Sequence, residues 1–386
     1  MCRKVWRHIA FVVKSGMLRA MITDIEKGAA VRGAAATDGR KAVITWLTVV
    51  TVLVFAMIVL GGVTRLTNSG LSMTEWKPIT GWLPPLDEAA WVAEFERYKT
   101  FPEYQKINKG MSLDAFKRIY AFEYAHRVLG RVIGLAFFVP FVVLLLLRKI
   151  PKSMAPRLAL LFLLGAAQGG MGWFMVKSGL VDHPDVSHYR LTAHLGLASL
   201  IFAALLWTIF DLVERNRPPA APAPDRLRRA SYFLLALIAL QILVGGFVAG
   251  LSAGFIYTDW PMMGGTFIPD DFLSLQPWFH NFLENPSTIQ FTHRMLGYAI
   301  LIAGIWFFLI SRGADVDRRL RNGALVLLAL ILLQVILGIL TLLYVVPVSL
   351  GAKHQGGGML VLAAALYVLH RICAASPAKA AGQPHG

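Results

Sequence analysis

Apolar residues fall into eight runs long enough to cross a bilayer, at about 42–63, 120–147, 157–177, 190–211, 230–251, 289–311, 322–346 and 353–373. A helix needs roughly 20 apolar residues to cover the ~30 Å hydrocarbon layer. Backbone groups in lipid are satisfied only within helices or closed barrels, and runs this long exclude barrel strands. The pattern predicts an all-α polytopic membrane protein with eight transmembrane helices, arranged as two parallel four-helix-bundle repeats.

The polar stretches between the runs give a direction. Arg148, Lys149, Lys152 and Arg157 follow the second run. Arg215, Arg217, Arg226, Arg228 and Arg229 follow the fourth, and Arg312, Arg318, Arg319 and Arg321 follow the sixth. The alternate connections are poor in basic residues, and 252–288 has none. The positive-inside rule then places both termini in the cytoplasm. The first outer loop, 64–119, holds eight basic and seven acidic residues, but long loops weigh little in that rule.

Composition agrees. The chain is 56% apolar and 16% charged, with a mean hydropathy of +0.58, so lipid is its main solvent. The formal net charge of +16 raises nucleic-acid binding, but the basic residues form short blocks between apolar runs rather than one patch, which argues against it. Cys2 and Cys373 lie near opposite ends and make neither a disulfide framework nor a Cys-x-x-Cys site. Residues 1–41 read as a basic cytoplasmic tail with no acid before Asp24. Ile9–Val13 is too short for a signal-peptide core. A mitochondrial transit peptide is one reading; a cytosolic tail, with Met17 or Met21 as the true start, is the simpler one.

Pro218 to Pro224 (PPAAPAP), within a linker at 214–229, divides the chain into similar halves, 42–213 and 230–373, followed by a tail at 374–386. Gly61-Gly62, Thr74-Glu75-Trp76, Gly81 and Pro85 reappear 184 residues later as Gly245-Gly246, Thr258-Asp259-Trp260, Gly265 and Pro269. His126-Arg127-Val128-Leu129-Gly130 is matched by His293-Arg294-Met295-Leu296-Gly297. His194 with Gly196 is matched by His354 with Gly356. A four-helix repeat keeps both halves in one orientation, unlike the inverted repeats of many transporters.

Of ten histidines, the repeat selects His126, His194, His293 and His354. All fall in the first turns of spans that begin outside. His126 is expected about 9 Å below its helix start, at ~1.5 Å per residue. A lone intramembrane histidine is most simply a hydrogen-bonding group between helices; four at repeated positions point to function. Two imidazoles per half, without a carboxylate or thiolate cluster, suit an axial pair on haem iron better than zinc. His8, His183, His188, His280, His370 and His385 lack such pairing and read as solvated.

Arg127 and Arg294 follow two of these histidines, and Arg65 and Arg131 lie nearby. These are candidates for binding haem propionates through bidentate hydrogen bonds, or else for snorkelling to lipid phosphates. Gly61, Gly62, Gly169, Gly170, Gly172, Gly245, Gly246 and Gly356–Gly358 let helices approach closely or make room for a macrocycle, with packing the default. One position breaks the symmetry. Glu123 stands three residues before His126, where Gln290 stands before His293. A buried carboxylate on the histidine's helix face can exchange protons, and an amide cannot. The alternative is an acid favoured by a helix start.

These residues resemble the haem A synthase family in its alphaproteobacterial and mitochondrial branch. The matching stretches are Gly61–Pro85, Pro102–Arg131, Thr192–Gly196, Tyr257–Gly265, Thr292–Gly297 and His354–Gly358, and the likeness spans about 42–373. The resemblance implies an oxidoreductase that converts haem O to haem A, oxidising the C8 methyl to a formyl group through hydroxylated intermediates. It implies that His126 and His194 hold the substrate haem, that His293 and His354 hold a haem b cofactor, and that Glu123 is the essential acid. It further implies the bacterial inner membrane, with the mitochondrial inner membrane as alternative. Expected partners are haem O, membrane lipid, haem O synthase (protohaem farnesyltransferase) and oxidase assembly factors, with room for a homo-oligomer. The outer-loop cysteine pair of some bacterial relatives is absent. Two other readings fit the ligands less fully: a diheme b-type cytochrome drawing electrons from quinol, and a haem transporter or chaperone.

Overall fold

The computed structural model describes residues 16–76, 80–180, 184–214 and 223–374, with side chains from residue 39 onward. Its helices are α1 (Gly16–Leu66), α2 (Glu88–Lys99), α3 (Pro102–Lys106), α4 (Leu113–Leu146), α5 (Ala155–Gly179), α6 (His188–Glu214), α7 (Asp225–Gly250), α8 (Asn281–Glu284), α9 (Pro286–Arg312), α10 (Arg318–Leu343) and α11 (Val348–Ala374). Eight are long and apolar enough to span a membrane: α4, α5, α6, α7, α9, α10, α11 and the Gly39–Leu66 part of α1. The eight expected spans are present.

Two ends differ from expectation. The helix of the first span reaches back to Gly16, while the part long and apolar enough to cross a membrane begins at Gly39. The second span starts at Leu113, capped by Ser112, whose hydroxyl accepts from the Ala115 amide at 3.2 Å. That adds about two turns of amphipathic helix beyond the apolar run. His126 therefore lies nearly four turns, roughly 20 Å at 1.5 Å per residue, from its helix start. His194, His293 and His354 lie within two turns of theirs. Residues 1–15, much of the Pro-rich linker, His8, His183 and His385 lie outside the described residues.

Helix contacts close two rings. In the first, α1 packs on α4, α4 on α5, α5 on α6 and α6 on α1; in the second, α7 packs on α9, α9 on α10, α10 on α11 and α11 on α7. Between the rings, α6 meets α7, α11 meets α1, and α6 meets α11. Exchanging the halves leaves this pattern unchanged. Leu47, Leu205, Leu234, Phe307, Leu327 and Ile331 fill one continuous apolar core, while Leu135, Phe138, Leu163, Leu200 and Ile302 face outward, as lipid demands.

The first long loop is folded. Asp87 caps α2, accepting from the Ala90 amide at 2.7 Å. Phe95, Tyr98, Phe116 and Tyr120 form a buried aromatic cluster between α2 and the projecting turns of α4. Glu103 is buried within it and accepts from the Tyr98 hydroxyl at 2.9 Å. Burial outweighs that bond and pushes the Glu103 carboxyl up to about 7. A carboxyl raised above its unfolded value stabilises fully at pH below about 4.5. That contribution, up to about 3 kcal/mol, is lost as pH rises through 7. Limited proteolysis is expected to cut this loop faster at pH 8 than at pH 5 in the parent, and equally at both in Glu103→Gln. A variant that kept the pH dependence would place its source elsewhere.

Candidate metal centre

His126 lies on α4, His194 on α6, His293 on α9 and His354 on α11. In each ring of helices the two histidine-bearing members are diagonal, not adjacent. Each imidazole meets a glycine on the span before its own. A Cβ built on Gly61, Gly172, Gly245 or Gly338 would lie 3.1, 3.1, 3.3 or 2.9 Å from Cε1 of His126, His194, His293 or His354 respectively. A larger residue at any of the four would press on the ring.

The next glycine of each Gly-Gly pair has another task. A Cβ on Gly62 would overlap Gln355 of α11, and one on Gly246 would lie 2.9 Å from the Thr192 hydroxyl of α6. Both contacts cross between the halves. The first glycine of the pair makes room for an imidazole ring and the second seats one half on the other. Gly169 and Gly170 meet nothing within 4 Å, so neither role applies to them.

The His293 and His354 ring centres are 6.3 Å apart, with planes at 68°. Two imidazoles on opposite sides of one metal ion have centres about 6 Å apart, because each bond is about 2 Å and each ring adds about 1 Å more. The Nδ1 atoms of His126 and His293 are buried without a hydrogen-bond partner. Among the described residues, no group of three or more His, Cys, Asp or Glu side chains could hold a metal ion, so a closed zinc site is not built there. A flat macrocycle held between two imidazoles fits the His293–His354 pair.

Sequence reasoning overlooked three glutamines. Gln168, Gln241 and Gln334 each stand one turn before a notch glycine. Their Nε2 atoms donate to the backbone carbonyls of His194, His293 and His354 at 3.0, 3.0 and 2.7 Å. The same atoms lie 3.1–3.3 Å from a ring nitrogen. The signal was there, since an amide inside an apolar run is costly unless it serves something.

Above the pockets the halves repeat one clamp. Arg127 donates to the carbonyls of Met73 and Glu75, both at 2.7 Å. Arg294 donates to those of Tyr257 and Asp259, the same positions 184 residues on, both at 3.0 Å, and also to Met262. These arginines hold the loops over the histidines. Arg294 keeps its Nε buried and without a partner. Arg65 reaches across to the other half, donating to Ser252 at 3.0 Å and to its own Asn68. Arg131 stacks over Trp82.

Glu123 is buried in this clamp. Its Oε2 accepts from the Ser72 hydroxyl at 2.8 Å and the Met73 amide at 2.7 Å, and its Oε1 pairs with Arg127 at 2.5 Å. Gln290 donates to the carbonyl of Tyr257, the counterpart of Met73, at 2.8 Å. Acid and amide therefore anchor equivalent loop residues with opposite polarity.

Two histidines expected in solvent are not there. His370 is buried at the far end of α11, bonded to Asp211 at 2.8 Å, beside Arg371 paired with Glu214 and Asp317. A partner 159 residues away gave no local signal. His188 is wedged against Phe247 and Tyr189, 3.4 Å from Glu284. His280 lies exposed beside α8, as expected.

The profile of the cytochrome oxidase assembly protein family (COX15-CtaA) matches residues 44–366, a stretch containing all four histidines, both clamps and all three glutamines. The chain belongs to this family. It is 49% identical over 331 residues to the heme A synthase of Parvibaculum lavamentivorans, covering 86% of this chain and 94% of that protein. It is 49% identical to the heme A synthase of Nitrosospira multiformis, with the same coverage, and 48% identical to that of Rhodospirillum centenum, over 86% of this chain and 88% of that one. The family match begins after the basic N-terminal segment, so what the family shares is the eight spans and their loops.

Proposed function

We propose that this chain is a haem A synthase, an oxidoreductase that takes haem O as substrate and oxidises its C8 methyl group to a formyl group. The observation that carries this is the quartet of glycine-notched histidines, two per bundle, in a chain half identical to heme A synthases. In this reading His126 and His194 hold haem O in the half formed by 42–213, and His293 and His354 hold haem b in the half formed by 230–373. Haem b held there supplies one-electron redox capacity to the reaction.

The chain's own groups divide the remaining work. The notches orient the rings, and the arginine clamps close the loops above them and keep water from the pocket mouths. The Glu123 carboxylate, one turn from His126, takes protons released as the methyl is oxidised. Arg65, Arg127, Arg131 and Arg294 are the guanidinium donors for propionates, although most donors of Arg127 and Arg294 serve the loops. By the positive-inside rule the histidines lie toward the outer side of a bacterial inner membrane, with both termini in the cytoplasm. Haem O synthase and oxidase assembly factors are the partners such a product requires.

The test is expression in a host supplying haem O, followed by extraction and chromatographic identification of the haem. Haem A should appear. Unchanged haem O, with haem b firmly held, would favour a diheme electron carrier. That reading draws support from Glu123 and Gln290 both serving as loop anchors, which gives their difference a second, structural explanation.

A further inference from the structure

The four notches are alike except in one respect. In α5, α7 and α10 the residue one turn before the notch glycine is a glutamine, giving Gln168-x-x-x-Gly172, Gln241-x-x-x-Gly245 and Gln334-x-x-x-Gly338. In α1 it is Met57, four residues before Gly61. The replacement occupies the same place. The Met57 methyl lies 3.5 Å from the Cβ position of Gly130, one turn beyond His126, and Gln241 Nε2 lies 3.8 Å from that of Gly297, one turn beyond His293. A thioether donates no hydrogen bond and is a weak acceptor. His194, His293 and His354 are therefore each latched by an amide, and His126 is not.

Each latch also holds an unused acceptor. The Oε1 atoms of Gln168, Gln241 and Gln334 are all buried with no hydrogen-bond partner, while the Nε2 of each is fixed on a helix carbonyl. A buried unsatisfied acceptor is costly and rare, and the same one three times over calls for a common explanation. An imidazole bound to iron through one nitrogen carries a proton on the other, and that N–H needs an acceptor in the outer shell. Each amide lies against its ring, with Nε2 3.1–3.3 Å from a ring nitrogen, and is the outer-shell group that fixes the ring's orientation.

We infer that the three glutamines are positioning residues that strengthen their histidines as axial ligands, and that Met57 leaves His126 as the weak ligand whose bond to iron opens when haem enters or leaves. The inference rests on the proposed haem assignment and deepens it. One site then has two latched ligands and keeps its haem; the other has one latched and one unlatched ligand and exchanges it. Substrate and cofactor sites built from one duplicated unit then differ at Met57 against Gln241 as well as at Glu123 against Gln290.

The experiment measures haem release from the purified full-length protein to excess apomyoglobin, with chromatography identifying which haem remains. Outer-shell partners typically change metal affinity by roughly 10- to 100-fold. Met57→Gln is expected to slow release of the N-terminal haem by about 10-fold or more. Gln241→Met and Gln334→Met are expected to speed loss of haem b by a similar factor and to shift its reduction potential. Met57→Leu keeps the apolar contact on Gly130 without offering a donor, and should release haem at the parent rate. Equal slowing in Met57→Leu and Met57→Gln would make the effect one of packing and overturn the inference. So would unchanged release and potential in the glutamine variants. A parent protein that holds no haem at all would instead defeat the functional reading on which the inference stands.

Discussion

Replacing His293 or His354 with alanine is expected to strip haem b from the C-terminal half while leaving the membrane fold in place. In the proposed reading each imidazole supplies one of two axial bonds, and the 6.3 Å separation of the ring centres matches two ligands sharing one ion. Losing a direct ligand should cost more than the roughly 10- to 100-fold in affinity typical of an outer-shell partner. The fold should survive, because the apolar core through α1, α6, α7, α9, α10 and α11 does not depend on these rings. Pyridine haemochrome quantification of the purified variants checks this. Full haem b content in either variant would mean the iron is held elsewhere. His126→Ala should keep its haem b, since its ring belongs to the other bundle.

Glu123 gives the second large effect, and the choice of substitution decides what is learned. Glu123→Ala removes the acceptor for Ser72 and Met73 and leaves the buried Arg127 guanidinium without its carboxylate. Breaking a buried pair in this way costs about 3–5 kcal/mol, so that variant confounds folding with chemistry. Glu123→Gln keeps an acceptor for the loop, imitates Gln290 of the other half and removes the charge. It should load both haems and convert haem O roughly 100-fold or more slowly, the usual contribution of a positioned acid or base. Near-parental conversion by Glu123→Gln would reduce Glu123 to a loop anchor.

Hydropathy and the position of basic residues made the eight spans legible, because lipid leaves a helix no other way to satisfy its backbone. What hydropathy could not show was where amphipathic turns continue beyond lipid. Leu113–Ile119 reads as a polar loop, yet Phe116 and Tyr120 bury themselves against α2 and extend α4. The four candidate ligands were legible from the duplication. Their environment was legible only in part. The Glu123–Arg127 pair is an i,i+4 neighbour and stood in plain view. The glutamines were equally visible as amides inside apolar runs, but their partners lie on other helices. Sequence left the Gly-Gly pairs ambiguous between packing and ligand space, and the structure assigns one residue of each pair to each. His370 was misread because Asp211 is remote in the chain.

In the proposed function, imidazoles from diagonal helices share one iron in each bundle. Low-temperature electron paramagnetic resonance of the oxidised, haem-loaded protein tests it most directly. Low-spin bis-imidazole signals are expected from both halves, with the C-terminal signal lost in His293→Ala and retained in His126→Ala. High-spin haem alone in the parent, or a protein that stays colourless when given ample haem, would contradict it.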